Sequence, residues 1–235
     1  MKNEFLKLPF HFDPIKLKSD LSACYKFKWT DHFNQSDYSG NWKSISLRSS
    51  SGLETDIYSH PDSKNFINTP ALEKCMYFQT IINSFDCEKE TIRLLALSPD
   101  SSIKEHTDAH VGYEYGFFRI HIPITTNENV SFIVDGNEVT MKEGECWYAN
   151  FHLPHSISNK GTRDRVHLIM DCKRNEWSDK LFGQIGYDFE YEKKIRDYDL
   201  ETKKRIIEEL LKMKTETADQ LILKLQKEIE NTKSI

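Results

Sequence analysis

The stretch between residues 91 and 172 constrains this chain most, because it leaves little room for anything but β-structure. Short apolar-rich runs at 91–97, 117–124, 130–134, 138–141, 145–150, 155–158 and 165–171 follow one another with almost no helical pattern between them. Asp135-Gly136-Asn137 is a tight-turn signal joining two of the runs. Strands this short and closely spaced bury their apolar sides by pairing antiparallel and folding over on themselves. The pattern therefore predicts a sandwich or barrel of the jelly-roll type, a mainly β fold with flanking helices.

The flanks read differently, giving three regions: an N-terminal one over 1–90, the β core over 91–172, and a helical extension over 173–235. In the first, Asp13-Pro14 and Thr69-Pro70 each set a capping side chain before a proline, which predicts helix starts. The second of these opens a stretch at 72–85 with Leu72, Cys75, Met76, Ile81, Ile82 and Phe85 at roughly helical period. Serine-glycine pairs bracket a predicted strand at 42–48. In the third region Leu200, Ile206, Ile207, Leu210 and Leu211, then Leu221, Ile222, Leu225 and Ile229, trace an apolar stripe. A break is expected at Thr215-Glu216-Thr217. Packing on the sheet is the first reading of the stripe, and a homodimer through these helices is the second.

Composition narrows the class. At 235 residues with 38% hydrophobic and 29% charged content, the chain suits one sizeable soluble domain with appendages. A formal net charge of -5, with no basic stripe among aromatics, argues against nucleic acid as a partner. No run approaches the roughly 18 apolar residues of a membrane span, and the opening residues lack the apolar centre of a signal peptide. The expectation is a cytoplasmic protein with no membrane partner. The 5 cysteines are scattered without a CxxC pair, so neither a disulfide framework nor a structural zinc site is indicated.

His106 and Asp108 flank a single residue, so on a strand or its extended end both side chains face the same way. His155 follows Pro154 at the start of another predicted strand. Two imidazoles and a carboxylate on a rigid sheet form the facial triad of non-haem iron(II) oxygenases, which leaves coordination positions open. His-x-Asp alone is a weak signal, and Arg165 strengthens it. In the strand 165–171, alternation sets Arg165, His167 and Ile169 on one face and Val166, Leu168 and Met170 on the other. An arginine facing into a barrel is costly unless an anion meets it, and a dicarboxylate tail suits its planar fork of donors. The same alternation puts Arg119 and His121 together on the strand 117–124.

Beyond these single positions, an ordered series of motifs runs through the region. It comprises Leu97-Ser98-Pro99, then Ile103-Lys104-Glu105-His106-Thr107-Asp108, Phe118-Arg119-Ile120-His121-Ile122-Pro123 and Gly144-Glu145-Cys146-Trp147-Tyr148. It continues with Pro154-His155-Ser156-Ile157-Ser158-Asn159 and Asp164-Arg165-Val166-His167-Leu168. The series resembles the aspartyl/asparaginyl beta-hydroxylase family. The resemblance implies a double-stranded β-helix, the cupin-like jelly roll, that binds Fe(II) and 2-oxoglutarate and hydroxylates an unactivated carbon. Carried over by position, His106, Asp108 and His155 look like the catalytic iron ligands, Arg165 like the partner of the cosubstrate's tail carboxylate, and Arg119 and His121 like the basic pair near its other end. The animal peptidyl hydroxylases that name the family lack the carboxylate ligand, whereas Asp108 is present here. In that respect the chain is similar to small bacterial relatives acting on free proline or other amino acids, lipid-linked or peptide substrates. The implied partners are dioxygen and a small-molecule or peptide substrate.

Other residues have plainer readings beside functional ones. Ala109 to Gly116 reads as a lid over the site or as a solvated loop. Arg48, ending its strand at a glycine-containing loop, reads as a contact to a substrate carboxylate or as a surface ion pair. Asn159 is expected to hold the His155 strand by side-chain hydrogen bonds. The rival to an enzyme is a cupin-like protein that binds a metal or small molecule without turnover, which would not need an inward Arg165.

Overall fold

Asp13 starts the first helix as its place before Pro14 predicts, its carboxylate accepting hydrogen bonds from the amides of Ile15 and Lys16. In this computed structural model, which describes residues 3–60, 63–196 and 200–232, β1 (Phe5–His11) and helix α1 (Pro14–Cys24) come first. The short strands β2 (Thr30–Asp31) and β3 (Tyr38–Ser39) lead to β4 (Trp42–Ser49) and β5 (Ile67–Asn68). Helices α2 (Pro70–Glu73) and α3 (Met76–Asn83) follow, then β6 (Lys89–Leu97) and β7 (Ser101–His106). A 3-10 turn at Tyr113–Tyr115 precedes β8 (Phe117–Thr125), β9 (Val130–Val134) and β10 (Asn137–Glu138). The β region closes with β11 (Glu145–Ala149), β12 (His155–Asn159) and β13 (Arg165–Lys173), and α4 (Glu176–Gln184) follows.

Two antiparallel sheets result. The larger runs β1-β11-β8-β13-β6-β4-β2, with β5 on β4, and the smaller runs β10-β9-β12-β7-β3. Between them lies an apolar cluster with Trp42 and Leu97 from the large sheet and Ile103, Phe132 and Ile157 from the small one. This is the jelly roll that the strand pattern predicts. The central strands of the large sheet, β4, β6, β8 and β13, are largely buried on both faces. The outward-facing Phe118 packs edge-on against Phe182 of α4, the ring centroids 5.4 Å apart, while α1 lies against β8. That cover is why β13 reads Arg-Val-His-Leu-Ile-Met-Asp-Cys with no exposed position until its last residue.

Some local expectations give way to tertiary contacts. The helix expected over 72–85 is interrupted after Glu73, because Asp20 of α1 accepts hydrogen bonds from the amides of Tyr77 (2.8 Å) and Phe78 (2.9 Å) and so starts a new helix there. Thr69 does not cap; its hydroxyl donates to the carbonyl of Ser46 at 2.9 Å. The strand expected at 138–141 is only Asn137–Glu138, and Val139 and Met141 drop into the apolar cluster instead. The 5 cysteines are all free, and only Cys87 is not fully buried.

The chain divides into two units, Met1–Asp188 and Phe189–Ile235. The second is helical, with α5 (Phe189–Arg196), α6 (Leu200–Met213) and α7 (Glu216–Thr232), the last two packed on each other and separated where Thr215-Glu216-Thr217 predicts a break. No helix of the described residues is long and apolar enough to cross a membrane.

Although α4 lies beyond the β region, it belongs to the first unit through Phe182, which is fully buried and stacks on Tyr113 at 3.9 Å between ring centroids. Phe182→Ala is expected to cost about 3–5 kcal/mol in urea unfolding. A loss below about 1 kcal/mol, the centre of ordinary substitutions, would show that α4 is not part of the core.

Candidate active site

The site begins with a register. β7 and β12 are neighbours in the small sheet, and their pairing sets His155 opposite His106, with the imidazole centroids 4.2 Å apart. Asp108 lies just past the end of β7, where its amide donates to the carbonyl of Phe151 at 2.8 Å. Its Oδ1 is 3.7 Å from His106 Nε2. One donor atom from each of His106, Asp108 and His155 lies within 4.8 Å of the others. Metal–nitrogen bonds are about 2 Å long, so the three donors are a small side-chain rotation from sharing one cation.

Their chemistry fits that use. His106 Nδ1 donates to the carbonyl of Lys104 at 2.8 Å, and His155 Nδ1 to that of Leu153 at 3.0 Å. A carbonyl can only accept, so both hydrogens sit on Nδ1 and both Nε2 lone pairs are free for a metal. Burial pushes His155 down to about 4, which keeps its ring neutral. Burial alone would raise Asp108; the Arg119 guanidinium and the two imidazoles outweigh it and hold the carboxyl below its usual range. Asp108 is thus an anion beside the Nε2 atoms of two imidazoles, a donor set suited to a divalent first-row metal.

Behind Asp108 stands Arg119 on β8. Its Nη1 donates to Asp108 Oδ2 at 2.8 Å, while its Nε donates to Asp171 Oδ1 at 2.6 Å and its Nη2 to Asp171 Oδ2 at 3.3 Å. Asp171 Oδ2 also accepts from Thr91 Oγ1 at 2.6 Å and from Arg93 Nη2 at 2.8 Å.

Arg165, at the other end of β13 from Asp171, is only 2% exposed, and no carboxylate pairs with it among the described residues. Its Nη2 donates to His167 Nδ1 at 3.0 Å, its Nε has no hydrogen-bond partner, and its guanidinium lies 5.8 Å from the Phe132 ring centroid. Burial brings it down to about 9. A buried cation without a counter-ion is what a dicarboxylate-binding pocket requires. His121 stacks on Phe151 at 4.8 Å, and burial holds its ring well below the usual range; its Nε2 is buried without a partner.

A cavity of about 50 Å³ joins these groups, lined by His106, Asp108, His155, Arg119, His121 and Arg165 with apolar walls of Trp42, Leu95, Ile103, Phe151 and Ile157. Arg165 and His167 also line a second cavity of about 190 Å³ beside Thr126 and Asn127. Six of the seven residues singled out from the sequence thus meet in one place. The seventh, Arg48, does not reach this cavity. Its Nη1 donates to Asn68 Oδ1 at 2.7 Å and its Nε to the carbonyl of Lys89 at 3.3 Å, so its fork is committed elsewhere.

Asn159 does hold the ligand strand: fully buried, its Nδ2 donates to the carbonyls of Leu97 and Arg163, both at 2.9 Å. The segment read as a lid is pinned at Tyr113, whose hydroxyl donates to Asp179 at 2.8 Å and lies 2.9 Å from the Ser178 hydroxyl. Sequence reasoning missed Asp171, Thr91 and Arg93. The period-2 alternation that set Arg165 inward continues to Asp171, and in β6 it runs through Thr91 and Arg93, so the signal was present. Trp42 was legible as a strand start, but not as a cavity wall backed by His32, whose ring stacks on it at 3.5 Å.

Comparison with known proteins places these observations in a family. L-proline cis-4-hydroxylase of Rhizobium meliloti (strain 1021) is 23% identical over 177 residues, covering 74% of this chain and 62% of that protein, so the chain spans less than two thirds of its relative's length. Among solved structures, an oxidoreductase of the 2OG-Fe(II) oxygenase family from Burkholderia pseudomallei shares the fold, with a TM-score of 0.52 and 14% identity over 73% of this chain and 86% of that one. Residues 15–175, well over half the sequence, match the description Aspartyl/Asparaginyl beta-hydroxylase, and the chain belongs to that family.

Proposed function

We propose that this protein is an Fe(II)- and 2-oxoglutarate-dependent hydroxylase of an amino acid, free or within a peptide. One observation carries the reading. A two-histidine, one-carboxylate donor set and a buried arginine without a counter-anion share a single cavity. Bound iron with 2-oxoglutarate and dioxygen supplies the coupling of oxidative decarboxylation, which leaves succinate and carbon dioxide, to hydroxylation of a C–H bond.

The chain's own residues supply position and field. His106 and His155 present Nε2, and Asp108 brings the single negative charge that a ferrous ion needs on this side. Arg165 takes the tail carboxylate of 2-oxoglutarate, replacing the costly unpaired cation by a fork of charge-assisted hydrogen bonds. Arg119 and His121 border the cosubstrate, Arg119 while still paired with Asp108. Trp42, Leu95 and Phe151 keep water from the walls, which strengthens every electrostatic contact inside. The proline hydroxylase relative supports a small amino acid as substrate. Leu211, Leu221 and Leu223 are exposed on α6 and α7 and favour these helices as the surface for a second copy.

Purified protein given Fe(II), ascorbate and 2-oxoglutarate is expected to release succinate slowly, and faster with one of the twenty amino acids, L-proline being the first to try. His155→Ala should abolish the release, and unchanged succinate from that variant would end the assignment. A cupin-like binder would show metal uptake without succinate under any condition. Arg165→Ala is expected to raise the KM for 2-oxoglutarate roughly 10–100-fold, the loss of about 1.5–3 kcal/mol for a charged hydrogen-bonded pair. An unchanged KM would place the tail carboxylate elsewhere.

A further inference from the structure

Three buried or half-buried charges, Arg119, Asp171 and Arg93, stand in turn behind Asp108, and their order suggests a role for the middle one. Asp171 is 1% exposed and sits directly opposite Arg119 in the β13–β8 register. Its carboxylate takes Arg119 side-on, through Nε at 2.6 Å and Nη2 at 3.3 Å. A guanidinium is planar, so a clamp on those two nitrogens fixes where the third one points. That third nitrogen, Nη1, donates to Asp108 Oδ2 at 2.8 Å, while the other oxygen, Oδ1, faces His106 Nε2.

We propose that Asp171 is a positioning residue for the metal site: by fixing and neutralising Arg119, it holds Asp108 with one oxygen occupied and the other turned toward the metal. The proposal rests on the reading of His106, Asp108 and His155 as metal ligands. Asp171 is itself fixed, by Thr91 Oγ1 at 2.6 Å and Arg93 Nη2 at 2.8 Å, and Arg93 Nη1 is anchored on the carbonyl of Ile57 at 3.1 Å. The charges matter as much as the geometry. Arg93 and Arg119 balance Asp108 and Asp171, so the quartet is neutral before a metal enters. Without Asp171, a divalent cation would approach Asp108 against two guanidinium charges that the one remaining carboxylate cannot balance. Freed of its clamp, Arg119 could also turn its fork onto both oxygens of Asp108 and compete with the metal for them.

A purely structural Asp171, present only to balance Arg93, would affect stability and leave metal affinity alone. Titration of metal-free protein with Ni(II), followed by calorimetry, separates the two. Wild-type protein is expected to bind one equivalent. Asp171→Asn should bind it roughly 10–100-fold more weakly, the usual range for residues that orient a ligand. Because the effect passes through Arg119, Asp171→Asn should weaken nickel far less in an Arg119→Gln background, where the cation it fixes and neutralises is gone, than in the wild-type one. If Asp171→Asn does not fold, Asp171→Glu carries the test: it keeps the charge, displaces the carboxylate, and should lower nickel affinity several-fold with the circular dichroism spectrum intact. Wild-type affinity in either folded variant, or an equal loss with and without Arg119→Gln, overturns the proposal. A wild-type protein that binds no nickel overturns the underlying metal reading instead, and this proposal with it.

Discussion

The placement of His155 opposite His106 in the β7–β12 pair is the interaction on which the rest of this protein depends. Side chains alternate along a strand, so a slip of one residue would send one imidazole to the wrong face and dissolve the site. The register is held at both ends of β12. His155 also lies opposite Val134 of β9, and at the other end Asn159 donates to Leu97 and Arg163. The bond to Leu97, on β6, ties the small sheet to the large one. The apolar cluster between the sheets, with Ile103 and Ile157 on the same two strands as the histidines, therefore fixes the imidazoles and the core by the same packing.

The large sheet contributes charge where the small one contributes imidazole. Buried ionic groups cost more than they return unless each is met by a partner, and here the partners are distributed unevenly. Arg93, Asp171, Arg119 and Asp108 satisfy one another. Arg165 has only a histidine and an aromatic face. That asymmetry divides the barrel interior by function. The balanced group sits beside the two imidazoles, and the unbalanced cation stands apart from it at the other end of the cavity lining. Arg93, Arg119 and Asp171 are spread over β6, β8 and β13, three strands that are central and paired on both sides.

Much of this was legible in the sequence, and the reasons are local. Strand identity in the β region follows from period-2 patterning, and Asp13 before Pro14 needs nothing beyond its neighbours. His106, Asp108 and His155 were legible through their spacing and the motif series, and Arg165 because it is a costly residue type at an inward position. What escaped is what depends on tertiary partners. β7, Ser-Ser-Ile-Lys-Glu-His, has a single apolar residue and so no pattern, although it carries His106. The break between α2 and α3 is set by Asp20, far away in sequence. Arg48 shares its alternation with Trp42 on β4, yet it lies at the opposite end of the strand and is taken up by Asn68. Periodicity gives the face of a strand; it does not give the height along it.

A crystal structure of the protein loaded with Ni(II) and 2-oxoglutarate would address the centre of this account directly. Anomalous density is expected at one site, bonded to Nε2 of His106 and His155 and to one oxygen of Asp108, with a carboxylate of the cosubstrate on the Arg165 guanidinium. A metal bound elsewhere, or a dicarboxylate that leaves Arg165 unmet, would contradict it.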